Sequence, residues 1–273
     1  MLGIWILMGG VAGLAGMAGL HSARRDRRRE NLRAEKLDEA DHRMIEDLFP
    51  IWKVVPDETR NLAEGWIQVF LAEKSFEACG DLDEVTHEMK LAIAAPACLL
   101  IAHRPQDYYE RLKSILVYPV AFKSRDDRDG SETVRLGESW GTGSVVLAWQ
   151  SVRQGDANPQ DGLNVVLHEF AHQIDQADGA ADGVPEFELL EDYGRWSQAF
   201  APAYKAFCER VEQGKRSVLD DYGAESPAEF FAVATETFFE RARGMKREEP
   251  DVYREMARFY QMDPESWGRV PSR

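Results

Sequence analysis

The sequence is short of cysteine and of positive charge, and each shortage narrows what the chain does. Its three cysteines, Cys79, Cys98 and Cys208, are widely spaced, odd in number and without a Cys-x-x-Cys pair. That is neither a disulfide framework nor a thiolate zinc site, and a reducing compartment is the simpler setting. Lys and Arg number 33 against 48 Asp and Glu, a formal net charge of −15. A nucleic-acid binder would normally present a basic face, so direct nucleic-acid binding is not expected. There is no internal repeat and no low-complexity tract. What is present is 273 residues, 44% hydrophobic and 30% charged. This is ordinary globular composition, enough for one sizeable domain or two small ones.

Charge is also missing from Met1–Leu20, which is entirely apolar or glycine, and Arg24, Arg25, Arg27, Arg28 and Arg29 follow at once. About 20 apolar residues match a hydrocarbon core, and a cleaved signal would carry its positive charge before the run. The positive-inside rule then predicts a single-pass transmembrane helix in the inner (cytoplasmic) membrane, with the body of the chain in the cytoplasm. Gly9, Gly10, Gly13, Gly16 and Gly19 lower its helix propensity. Residues 1–36 carry +4, which leaves −19 on the rest.

Residues 21–41 are dense in charge and read as an exposed helix or linker. Helical spacing of apolar residues predicts helices over about 57–74, 83–102 and 195–213, with Pro96 kinking or splitting the second. Ser114–Phe122, interrupted by Pro119, Thr133–Leu136 and Ser144–Trp149 read as strands, the last two joined through a Gly141-Thr-Gly143 turn. Asp126-Asp-Arg-Asp-Gly130 is a turn and not a calcium loop, because Arg125 and Leu136 would fall where carboxylates are needed. Residues 156–162 and the region of Gly179, Asp182, Gly183 and Pro185 read as loops.

The chain is organised around Asn164-Val-Val-Leu-His-Glu-Phe-Ala-His-Gln-Ile-Asp175. On a helix, His168 and His172 lie one turn apart on one face, suited to holding one Zn2+ through ring nitrogens. Glu169 is placed beside them to take a proton from water. Two histidines on an amphipathic core helix would give the same pattern, and a catalytic zinc needs a third protein ligand.

Downstream, Ser226 and Pro227 start a helix rich in buried-type residues. Glu229 fits a capping box, yet a carboxylate among Phe230, Phe231, Val233 and Phe238 also needs a partner. Pattern favours Glu229 as the third ligand. Glu225, Glu236 and Glu240 are rivals by residue type, but Glu225 lies in the loop, and Glu236 and Glu240, further down the helix, either back the ligands or face solvent.

Seven ordered pieces resemble the Mlc titration factor A family of zinc metallopeptidases, a gluzincin group similar to the anthrax lethal factor catalytic domain. They are Lys74-Ser-Phe76, Leu91-Ala-Ile-Ala-Ala-Pro-Ala-Cys98, Val117-Tyr-Pro119, Val146-Leu-Ala-Trp149, Val166–Asp175, Ala181-Asp-Gly-Val-Pro185 and Tyr222-Gly-Ala-Glu-Ser-Pro-Ala-Glu-Phe-Phe231. The resemblance implies His168, His172 and Glu229 as zinc ligands and Glu169 as base. It further implies Tyr222 as oxyanion donor and Asp175 as a residue that orients a ligand histidine. A peptide or protein substrate is implied, as is a sugar-uptake repressor as a regulatory partner. By similarity to other zincins, strand 144–149 would offer its free edge to an extended substrate.

The fold class expected is therefore α+β, a zincin-like metallopeptidase domain with a helical N-terminal scaffold and one N-terminal transmembrane helix. The divisions are an anchor over 1–20, a charged juxtamembrane linker over 21–43, the metallopeptidase domain over 44–265 and a tail over 266–273. The function expected is zinc-dependent peptide hydrolysis, with sequestration of a transcriptional repressor as the competing role.

Overall fold

The computed structural model describes residues 23–104, 109–120, 122–125, 132–135, 137–140 and 143–270, and most of them are helical. Helix α1 covers residues 23–34. It is followed by α2 (Glu39–Leu48), α3 (Asp57–Glu73) and α4 (His87–Leu100). Strands β1 (Ser75–Ala78), β2 (Ser114–Tyr118), β3 (Phe122–Arg125), β4 (Glu132–Arg135), β5 (Gly137–Trp140) and β6 (Ser144–Ala148) come next in the strand count. The second half is all helix: α5 (Trp149–Ala157), α6 (Val165–Asp175), α7 (Leu190–Glu212), α8 (Pro227–Glu240), α9 (Ala242–Glu248) and α10 (Pro250–Tyr260).

One small sheet runs in the order β1-β2-β6-β5, parallel between its first three strands and antiparallel between β5 and β6. Alternation in β2 buries Ile115 and Val117, which pair with Val145 and Leu147 of β6. Strands β3 and β4 form a separate antiparallel pair. The helices start where their chemistry dictates. Thr86 caps α4 by accepting from the Met89 N–H, and Ser226 caps α8 by accepting from Glu229. Pro227 and Pro250 occupy first-turn positions, where a missing N–H costs nothing. The core lies between α3, α4, α6 and α8, where Phe170 of α6 packs 5.7 Å from Phe70 and 4.9 Å from Tyr109.

Several expectations are corrected. The α+β assignment gives way to a mostly helical fold with a small sheet, because the segments read as strands pair over only four or five residues. The buried mass is carried by helices, α8 being buried along nearly its whole length. No helix among the described residues is long and apolar enough to cross a membrane. The run Met1–Leu20 lies outside those residues, so the transmembrane helix and the single-pass inner-membrane placement stand without structural support and are withdrawn. Pro96 sits inside a single α4 and does not divide it. Trp149 opens α5 and is not the last residue of a strand. Strand β6 has partners on both sides, β2 and β5, so it has no free edge to offer. Pro119 does end β2, and the turn at 126–130 lies outside the described residues.

Candidate metal centre

The site is built by two buried helices that face each other. Helix α6 begins at Asn164, whose side-chain oxygen accepts from the Val166 and Leu167 N–H groups. From that start, His168 and His172 fall one turn apart with ring centroids 4.8 Å from each other. Helix α8 supplies Glu229 from its first turn, directly after the Ser226-Pro227 start. The structure brings these three together. His168 Nε2 lies 3.0 Å from Glu229 Oε2, His172 Nε2 lies 3.3 Å from the same oxygen, and the two Nε2 atoms are 3.2 Å apart. Among the described residues this trio is a group of His, Cys, Asp and Glu side chains close enough to share a metal ion.

The donor set fits a metal. Bonds of about 2.0–2.1 Å in a tetrahedron separate neighbouring ligand atoms by about 3.3 Å, close to all three observed distances. Hydrogen bonding points the same way. His168 Nδ1 lies 2.8 Å from Glu236 Oε1, so a neutral ring donates there and turns its Nε2 lone pair toward Glu229 and His172. Three lone pairs facing one point repel unless a cation or a proton lies between them.

Charge is concentrated behind these atoms. The two histidines hold the Glu229 carboxyl well below the usual carboxylate range despite its burial. Burial opposes a charge on His168, yet Glu236 and Glu229 outweigh it and raise its pKa well above the ordinary value. Glu169 is 5% exposed, and its Oε2 has no hydrogen-bond partner among the described residues. Burial pushes its pKa up to about 7, against the pull of His168 and His172.

The other expected residues fall as follows. Tyr222 sits on a short 3-10 turn, Asp221–Ala224, half exposed, with its ring centroid 5.9 Å from that of His168. Asp175 hydrogen-bonds neither His168 nor His172. Its Oδ2 accepts from the Gly183 N–H at 3.0 Å, and its Oδ1 is buried without a partner among the described residues. Of the rival carboxylates, Glu236 and Glu240 are buried behind the site and Glu225 is not among the clustered residues. Sequence reasoning missed Asn164 and left Glu236, a rival for the third ligand, open between a place behind the ligands and one facing solvent. The available signal was spacing, because 229, 236 and 240 are separated by seven and four residues and share one stripe of a helix.

A helical scaffold that faces a His-x-x-x-His pair with a buried carboxylate defines a metallopeptidase-like protein. The chain belongs to the glucose-regulated metallo-peptidase M90 family, whose sequence model matches residues 23–261. It is 40% identical over 229 residues to an uncharacterized protein of Synechocystis sp., covering 81% of this chain and 83% of that one. It is 31% identical over 229 residues to Mlc titration factor A of Pectobacterium atrosepticum, covering 79% and 84%. The same identity is found over 219 residues with Mlc titration factor A of Klebsiella pneumoniae, covering 77% and 81%. The chain is thus a member of the metallopeptidase family to which Mlc titration factor A belongs.

Proposed function

We propose that the chain is a zinc-dependent peptidase in which His168, His172 and Glu229 hold the metal. The observation that carries this reading is the triangle of two Nε2 atoms and one Oε2 atom with sides of 3.0 to 3.3 Å. A zinc ion held there would acidify a water and polarise the scissile carbonyl. Glu169, buried and with one oxygen unpartnered among the described residues, takes the proton of the attacking water as the water oxygen bonds to the carbonyl carbon. It delivers that proton to the amide nitrogen as the C–N bond breaks. Tyr222, beside His168 and half exposed, donates its hydroxyl hydrogen to the carbonyl oxygen as negative charge develops there. The outer edge of β5, which pairs only with β6 among the described residues, is the backbone edge to which an extended peptide adds. The catalytic unit is the region 44–265.

Metal analysis of the purified protein beside a peptide-library cleavage assay tests this. One zinc per chain is expected. Glu229→Ala should lose the metal, whereas Glu169→Gln should keep it and lose turnover. Stoichiometric zinc in Glu229→Ala, with loss of zinc in a Glu240→Ala control, would give the third-ligand role to another carboxylate.

One observation favours a second reading. The Pectobacterium and Klebsiella relatives carry the name Mlc titration factor A. On that reading the chain binds and sequesters a transcriptional repressor. A fully zinc-loaded parent that cleaves nothing across a broad library would make this second reading the better account.

A further inference from the structure

We infer that Glu236 and Asn164 are positioning residues of the candidate metal centre, holding the His168 ring and the start of α6 in register against Glu229. The inference rests on the metal-site reading above and concerns residues outside its ligand set.

Helix α8 carries Glu229, Glu236 and Glu240 at i, i+7 and i+11, which at about 100° per residue places them within about 20° of one line. That line faces α6 and the residues that lead into it, and each carboxyl meets a different part of that stretch. Glu229 meets the Nε2 atoms. Glu236 uses both of its oxygens: Oε1 lies 2.8 Å from His168 Nδ1, and Oε2 accepts from the Asn164 N–H at 2.5 Å. Glu240 Oε1 accepts from Asn164 Nδ2 at 3.2 Å, while its Oε2 accepts from the Gly162 N–H at 3.0 Å.

Asn164 is 2% exposed, and every hydrogen-bonding group it has is in use. Its carbonyl accepts from the His168 N–H at 3.0 Å, and its Oδ1 caps the helix. Capping needs only that side-chain oxygen, and aspartate caps a helix about as well as asparagine. The Nδ2 donor and the N–H to Glu236 are surplus to capping, and both run to α8. Asn164 therefore ties the origin of the histidine helix to the same carboxylate that holds the His168 ring from behind. A carboxylate on Nδ1 fixes the tautomer that leaves Nε2 free, and it raises the basicity of that nitrogen as a ligand.

The test uses the full chain and zinc alone as probe, with affinity read by competition against a chelator. In Glu236→Gln the amide offers one acceptor and one donor, so it cannot accept from both His168 and Asn164. Zinc binding should weaken about 10–100-fold. Asn164→Asp keeps the cap and replaces the Nδ2 donor with an acceptor beside Glu240. Its metal-free melting temperature should stay within a few degrees of the parent, while zinc binding weakens about tenfold. In the zinc-loaded parent the Nδ1–H proton of His168 should resonate far downfield, and it should move upfield in Glu236→Gln. Parent affinity in both variants with an unmoved Nδ1–H resonance would overturn the positioning role and leave the metal site standing. A parent that binds no zinc would overturn the metal site and this role together.

Discussion

Tyr222 is the residue at which chemistry and packing are most cleanly separated. Its hydroxyl can be removed while its ring, 5.9 Å from that of His168, stays in place. A donor that meets the oxyanion only in the transition state adds nothing to substrate binding. Tyr222→Phe should therefore lower kcat by roughly 10²–10³-fold with KM within a few-fold of the parent and zinc content unchanged. Steady-state kinetics beside metal analysis checks this, and unaltered kcat would leave Tyr222 a packing residue. At this scale the sequence was legible wherever the chemistry is local. His168, Glu169 and His172 stand within five residues on one helix, and their spacing is itself a geometric statement. Glu229 was favoured by its burial among phenylalanines, but its rivals Glu236 and Glu240 shared that helix. The contact between Asn164 and Glu236 stayed hidden because it joins residues 72 apart, and nothing local in either segment records which faces of α6 and α8 meet.

Elements follow the same division between local and distant causes. Helix α3 was expected over about 57–74 and runs Asp57–Glu73, since its apolar spacing and acidic first turn are sequence properties. Strand β5 was missed because four residues that gain stability only by pairing with β6 carry no pattern of their own. The joints between elements also make predictions. Gly183 has φ +77°, and a Cβ there would lie 2.3 Å from the Pro227 carbonyl oxygen at the start of α8. Its N–H binds Asp175, and its carbonyl accepts from Trp196 Nε1. Gly183→Ala should destabilise the fold by about 1–3 kcal/mol from backbone strain alone, with the clash added. Urea unfolding measures this, and a neutral result would show that the loop can leave α8 freely.

Lys74, at the joint between α3 and β1, is 9% exposed and donates to the Tyr109 and Leu112 carbonyls. Burial lowers its pKa from 10.5 to about 8. The folded state therefore binds fewer protons than the unfolded chain between those values, and stability rises with pH across that window. Below about pH 8 both states hold the proton and the cost of the buried charge is fully present. Lys74→Met removes the titrating group. The parent's stability relative to this variant should climb from pH 8 to 10.5 and be flat below. Parallel profiles for the two proteins in denaturant melts at stepped pH would contradict the assignment.

At the scale of the whole molecule, the question is whether the basic N-terminal stretch belongs to the body. Residues 21–41 read as an exposed helix or linker, and charge density alone could say no more. In the structure α1 is docked. Arg29, 13% exposed at its side chain, forks onto Glu73 at 2.7 and 2.9 Å and reaches Glu110 at 2.6 Å. Arg33 lies over the Trp66 ring at 4.4 Å. The family match also begins at residue 23. Close approach is possible because α3 has a glycine at the crossing. A Cβ on Gly65 would lie 3.0 Å from the Arg33 carbonyl oxygen and 3.2 Å from the Arg33 Cβ. Two effects of a methyl at Gly65 then oppose each other. Inside a helix, alanine in place of glycine stabilises by about 0.5–1 kcal/mol. Against a docked α1, the same methyl forces the neighbouring helix outward and loosens the Arg29–Glu73 pair. The sign of Gly65→Ala should therefore depend on α1. In a 37–273 fragment, which lacks the helix, the substitution should raise the unfolding free energy by about 0.5–1 kcal/mol. In the full chain the gain should vanish or reverse. The fragment itself should be less stable than the full chain, because Glu73 loses its partner and Trp66 its cover. Equal and favourable effects of Gly65→Ala in both proteins would mean that α1 does not press on α3 in solution.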